Sequence, residues 1–187
     1  MKKKSLIVLS ITTLLALVFT ILVKTFDLGV MEATGAVVGF SSANIPFALK
    51  FSFNSLFFNI SEYLGYIAIL TMGVFGVIGF CQLVKRKSLR KVDGDIYALF
   101  FTYISTLALY FFFDKVLVIN LRPIYMPGEI TLEPSFPSSH TLLAVVSFST
   151  AVHQCMRIEK KGMRIALILL LSVLMTATVV GRLLSGV

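Results

Sequence analysis

Three basic residues, Lys115, Arg122 and Arg182, stand at or beside the ends of apolar runs. Arg122 is followed by Pro123, and a stretch carrying Pro127, Gly128 and Pro134 leads into Phe136-Pro137-Ser138-Ser139-His140. A proline followed by two small hydroxyl residues opens a helix well, and the first-turn amides of that helix have no partner within it. Such an end binds phosphate. One lysine and two arginines add charge-assisted donors, and the arginines can grip phosphate oxygens in pairs. His140, in the first turn, stands where an imidazole can give or take a proton beside a bound anion. Taken one at a time, the basic residues read more readily as snorkelling anchors, and the plain reading of Ser138 and Ser139 is as caps and of His140 as an interfacial ring. Their grouping at the ends of successive segments is what points to phosphate chemistry.

The second histidine is a useful control. His153 follows His140 by thirteen residues on the same helix, a rise of about 20 Å at 1.5 Å per residue. The two cannot share a site, so a two-histidine metal centre is not expected, and neither a metal nor another cofactor is called for. His153 reads as an interface residue.

The elements that must hold these residues follow from composition. Of 187 residues, 57% are hydrophobic and 14% charged, against about 45–50% and about 25% in soluble domains. With a mean hydropathy of +0.93, a soluble globular domain and a disordered chain are both excluded. Five apolar stretches, near Ser5–Val23, Glu62–Val84, Ile96–Phe113, Thr141–Met156 and Ile165–Val180, approach the roughly 20 residues a membrane helix needs. The fourth is short and draws on Pro137 to His140 for its start. Lipid cannot satisfy open backbone groups, and no segment alternates with a period of two, so the fold class is all-α, a polytopic membrane helical bundle.

Charge placement orients the bundle. With the N-terminus cytoplasmic, twelve basic residues fall inside (Lys2, Lys3, Lys4; Lys85, Arg86, Lys87, Arg90, Lys91; Arg157, Lys160, Lys161, Arg164) and five outside (Lys24, Lys50, Lys115, Arg122, Arg182). The net charge of +8 therefore reports topology and contact with anionic inner-leaflet lipid, and nucleic acid is not an expected partner. The basic start and apolar body of the first 23 residues lack a small-x-small cleavage pattern, so this segment reads as an uncleaved first helix in a multi-pass plasma-membrane protein. The chain divides into residues 1–61, first helix and outer linker, and 62–187, the membrane core. The linker from Lys24 to Ser61 is too interrupted to span; a short amphipathic surface helix and a plain loop fit it equally. Gly73, Gly76 and Gly79 form a small-residue strip suited to close helix packing. Cys81 and Cys155 read as buried thiols, neither disulfide nor metal ligands.

Three segments together resemble a known family. Lys115 and Arg122-Pro123 in KVLVINLRP, then Pro137-Ser138-Ser139-His140, then Gly181-Arg182 followed by five residues to Val187 are similar, in order and spacing, to the motifs of the type 2 phosphatidic acid phosphatase and haloperoxidase superfamily: Lys-x6-Arg-Pro, Pro-Ser-Gly-His and Ser-Arg-x5-His-x3-Asp. Serine replaces the glycine of the second motif at Ser139, and Gly181 replaces the serine of the third. The resemblance covers Glu62 to Val187. It implies a metal-independent membrane phosphohydrolase acting on lipid phosphates or diphosphates. Lys115, Arg122, Ser138, Ser139 and Arg182 would hold the phosphoryl group. His140 would protonate the leaving oxygen, and the third-motif histidine would attack phosphorus through a phosphohistidine. That histidine would fall directly after Val187, so five spans of an expected six are present. The chain as written is expected to bind phosphate without turning it over, since losing a nucleophile costs on the order of 10⁶ in rate. The alternative is a non-catalytic membrane protein that binds anionic lipid headgroups. A channel or transporter subunit would place charge in mid-span, and none lies there. Undecaprenyl diphosphate, phosphatidylglycerophosphate and phosphatidic acid all suit the residues, and the oligomeric state is not encoded in any of them.

Overall fold

The computed structural model describes residues 3–186. Among them are six α-helices, α1 (Lys3–Thr25), α2 (Ser41–Lys50), α3 (Ser55–Arg86), α4 (Gly94–Phe111), α5 (Ser139–Cys155) and α6 (Lys161–Leu184), and one small antiparallel hairpin of β1 (Gly29–Met31) and β2 (Ala36–Val38). The all-α expectation therefore holds for the body of the protein, with the hairpin confined to the linker. Four helical segments are long and apolar enough to cross a membrane: Ser5–Thr25, α3, Gly94–Val116 and α6. This is a membrane protein.

Helix boundaries extend the apolar runs by their caps. Asn54 accepts hydrogen bonds from the amides of Leu56 and Phe57 at 3.1 and 3.2 Å, so α3 starts seven residues before the expected Glu62 and runs unbroken across the boundary drawn at residue 61. Ser138 caps α5, its hydroxyl accepting from the Thr141 amide. α6 continues to Leu184, which puts Arg182 inside its last turn. After α4 a π-turn over Phe112–Val116 carries Lys115.

At 17 residues α5 is about 25 Å long, short of the roughly 30 Å of a bilayer core. It is the inner helix, packed against α3, α4 and α6. Ala144, Phe148 and Ala68 are fully buried, with Leu171, Leu174 and Met175 against them. Ser147 donates to the Ala68 carbonyl at 2.7 Å, and the hydroxyls of Thr150 and Tyr103 lie 2.9 Å apart. Small residues and hydroxyl bonds between helices are how bundles pack where lipid supplies no hydrophobic drive. They also explain why the most central helix is the least apolar of the long ones.

α1 makes no extended contact with another helix. Only its last turns engage the protein, where Phe19 stacks on Phe40 and meets Phe136, and Val23 is buried.

Two packing expectations require correction. Gly79 does let Ile96 approach, since a Cβ there would sit 2.7 Å from the isoleucine Cγ2, but a Cβ on Gly73 or Gly76 would meet nothing within 4 Å. Gly76 and Gly79 instead border an open groove between α3 and α4. Cys81 is exposed on the outside of α3 and Cys155 is half-buried, both as free thiols.

The linker builds a cap. Met31, Ala36 and Val38 form a small core with Ile45, Leu121 and Leu132. Asp27 accepts from Ser41 and Ser42 at the start of α2, and the Ser42 hydrogen bonds hold its carboxyl below the ordinary range. Asn120 accepts from the Gly39 amide, and Thr34 donates to the Pro123 carbonyl. Hairpin and α2 together thus buttress the loop between α4 and α5.

Candidate functional site

That loop folds back on itself beside the capped end of α5. The Arg122 amide donates to the Glu133 carbonyl and the Ser135 amide to the Asn120 carbonyl, each at 2.9 Å, with Leu121 and Pro134 bridged between them. The clasp brings Arg122 and Ser135 against Ser138 and Ser139. Arg182 arrives from the end of α6. These residues, with Pro134, line a polar notch of about 30 Å³, the volume of about one water. Ser135, Ser138 and Arg182 also line a neighbouring chamber of about 600 Å³ walled by Phe19, Phe40, Phe47 and Phe136. A phosphoryl group would need the notch and the mouth of this chamber together.

Arg182 is the most constrained member. Its side chain is 6% exposed. Nη2 donates to Oε2 of Glu62 at 2.7 Å, and the guanidinium lies 5.0 Å from the centre of the Phe58 ring. Nε and Nη1 are buried with no partner among the described residues. Each unpaired buried donor costs about 1–3 kcal/mol, so two on one side chain at the wall of a notch make a place that favours an anion. Arg122 gives Nη2 to Glu133 at 2.8 Å.

Glu62 was absent from the residues singled out by sequence. Its Oε2 accepts from Arg182 and also lies 3.0 Å from Nε2 of His140. Two glycines make this convergence possible. A Cβ on Gly65, one turn along α3 from Glu62, would lie 2.6 Å from Cδ2 of His140, so the imidazole occupies space that any other residue would fill. A Cβ on Gly181 would crowd that of Ser61 at 3.2 Å. Glycine at this position therefore lets α6 close on α3 and sets Arg182 against Glu62. On the other side of the ring, Nδ1 of His140 is 3.2 Å from the hydroxyl of Ser139. Ser139, Glu62 and His140 form one hydrogen-bonded line, with the serine at the notch and the carboxylate behind the ring.

Of the six residues expected at the site, Arg122, Ser138, Ser139 and Arg182 line the notch. His140 is joined to it through Ser139. Lys115 is not brought to it: its side chain is 74% exposed and its Nζ pairs with Asp114 at 2.8 Å, because the π-turn carries it away from the clasp. His153 is exposed farther along α5. No group of three or more histidine, cysteine or acidic residues suited to a metal ion occurs among the described residues.

Compared with protein-family models, curated proteins and solved structures, the chain matches none.

Proposed function

We propose that this protein is a membrane lipid-phosphate phosphohydrolase of the type its motifs resemble, and that the notch receives the phosphoryl group. The observation that carries this reading is the buried guanidinium of Arg182, with two unpaired donors beside Arg122 and the free amides of a serine-capped helix. In this reading Arg182 and Arg122 offset the charge on the equatorial oxygens, and the α5 amides add their dipoles. The apolar chamber next to the notch takes the first part of the lipid. His140 supplies the proton for the leaving oxygen through the Ser139 hydroxyl: Nδ1 gives a proton to Oγ as Oγ gives its own to the substrate. Glu62 steadies the ring from Nε2. The bundle has five spans, α5 among them, with the N-terminus cytoplasmic and the notch at the outer face of the plasma membrane, in accord with the basic residues divided twelve to five.

A second reading has its own observation. Both nitrogens of His140 are already engaged, by Glu62 and Ser139, and no other histidine lies near the notch among the described residues. A protein that holds an anionic headgroup without hydrolysing it fits these facts. One experiment separates the two. The 187-residue chain is expected to bind vanadate and to release no phosphate from phosphatidic acid. A version extended by histidine after Val187, aspartate four residues on and an apolar helix beyond is expected to hydrolyse it, and to lose that activity in His140→Ala. Binding without hydrolysis in the extended version selects the second reading; hydrolysis by the 187-residue chain itself sinks the assignment of roles.

A further inference from the structure

The groove between α3 and α4 lies at the opposite end of the bundle from the notch. It encloses about 430 Å³ and is almost wholly apolar, with Gly76, Gly79, Leu83, Leu89, Phe100 and Tyr103 among its walls. Along α3 it runs from Met72 to Leu83, a rise of about 16 Å. That is close to half of a hydrocarbon core of roughly 30 Å, the depth of one leaflet. Gly76 opens it, since the space a side chain would fill there is empty to 4 Å.

The mouth of the groove is a basic loop. Lys85, Arg86, Lys87, Arg90 and Lys91 are all exposed there, between the lining residues Leu83 and Val92. Both nearby carboxylates are already taken: Asp93 pairs with Arg86, and Asp95 with Arg157. Lys85, Lys87, Arg90 and Lys91 have no acidic partner among the described residues. An apolar slot one leaflet deep, closed at its polar end by unneutralised cations, complements one kind of molecule.

We propose that the α3–α4 groove is a binding site for an anionic glycerophospholipid of the leaflet on that side, one acyl chain lying along Gly76 and Gly79 and the phosphate held by Lys87, Arg90 and Lys91. The lipid is a bound structural ligand, separate from any substrate of the notch. Its chain fills the groove between the two helices, and its headgroup neutralises the loop.

The sequence contains no tryptophan, so a single introduced indole reports on its own surroundings. Phe100→Trp places it in the groove wall, and Leu170→Trp, on the exposed face of α6, serves as reference. Each variant is reconstituted in vesicles doped with acyl-brominated phosphatidylglycerol or, at equal mole fraction, brominated phosphatidylcholine. At Phe100→Trp the anionic lipid is expected to be preferred by roughly fivefold or more, with no preference at Leu170→Trp. The preference is expected to vanish when Lys87, Arg90 and Lys91 are changed together to Gln. Gly76→Phe, which has room to fold, is expected to reduce quenching by both lipids at the groove. Equal quenching by the two lipids at Phe100→Trp overturns the proposal in favour of an ordinary lipid annulus. Absence of quenching by either, with cross-linking between Phe100→Cys copies in a Cys81→Ser, Cys155→Ser background, overturns it in favour of a second copy of the chain.

Discussion

The imidazole of His140 lies over the bare backbone of Gly65, its Cδ2 only 2.6 Å from where a β-carbon would be. Helix propensity favours alanine over glycine by about 1 kcal/mol within a helix, so glycine is retained here at a cost to α3. Gly65→Val is expected to push the ring off Glu62. In the histidine-extended protein, hydrolysis should fall as far as in His140→Ala, while vanadate binding changes little. Full activity in Gly65→Val would show that the ring position is immaterial.

Arg122 and Arg182 should dominate anion binding. Hydrogen bonds to charged groups contribute about 1.5–3 kcal/mol, so Arg122→Ala and Arg182→Lys are each expected to weaken vanadate roughly tenfold to a hundredfold by calorimetry. Arg90→Ala, at the far end of the bundle, is expected to be neutral. Lys115→Ala distinguishes geometry from motif. With its ammonium on Asp114 and out of the notch, it should resemble Arg90→Ala; a loss equal to that of Arg122→Ala would mean the π-turn rearranges when anion binds.

Glu62→Gln removes the counter-charge of a buried guanidinium. Breaking a buried pair costs about 3–5 kcal/mol, and the lower end applies because the Glu62 side chain is 28% exposed. The melting temperature should fall. Added phosphate or vanadate should restore more of it in Glu62→Gln than it adds to the parent protein, since the anion takes over the freed donors. Equal shifts in both proteins would show that the anion sits away from Arg182.

Orientation is open to chemical labelling. In a Cys81→Ser, Cys155→Ser background, Arg90→Cys and Ile130→Cys are both exposed positions. An impermeant thiol reagent on intact cells is expected to reach Ile130→Cys and not Arg90→Cys. The reverse pattern inverts the topology.

The helices were legible because lipid imposes one rule on every spanning segment, and long apolar runs obey it. Their ends were less so. Asn54 lies well outside the apolar run it caps, and Arg182 reads as flanking until the last turn of α6 is seen to include it. The notch was largely visible, since Arg122, Ser138, Ser139 and Arg182 follow a recognisable spacing. Glu62 stands at the edge of the apolar run and reads as its boundary, although an acidic residue two turns inside the helix is itself a signal. Lys115 reads as a site residue by its charge, its place at the end of an apolar run and its spacing to Arg122, none of which reports the local twist that turns it outward. The roles of Gly65 and Gly181 depend on contacts with other helices, and no property of the glycine itself announces those.

Most of α1 stands clear of the other helices. From Leu6 to Leu17 its large side chains are about half exposed or more, and no other helix lies along them. The packing along this stretch asks for length and oiliness, not shape, until Phe19 and Val23, where the cap and its aromatic chamber impose a fit. The helix behaves as an interchangeable tether with a tailored tip. An unrelated apolar helix grafted ahead of Phe19 should anchor the cap as well as the native one.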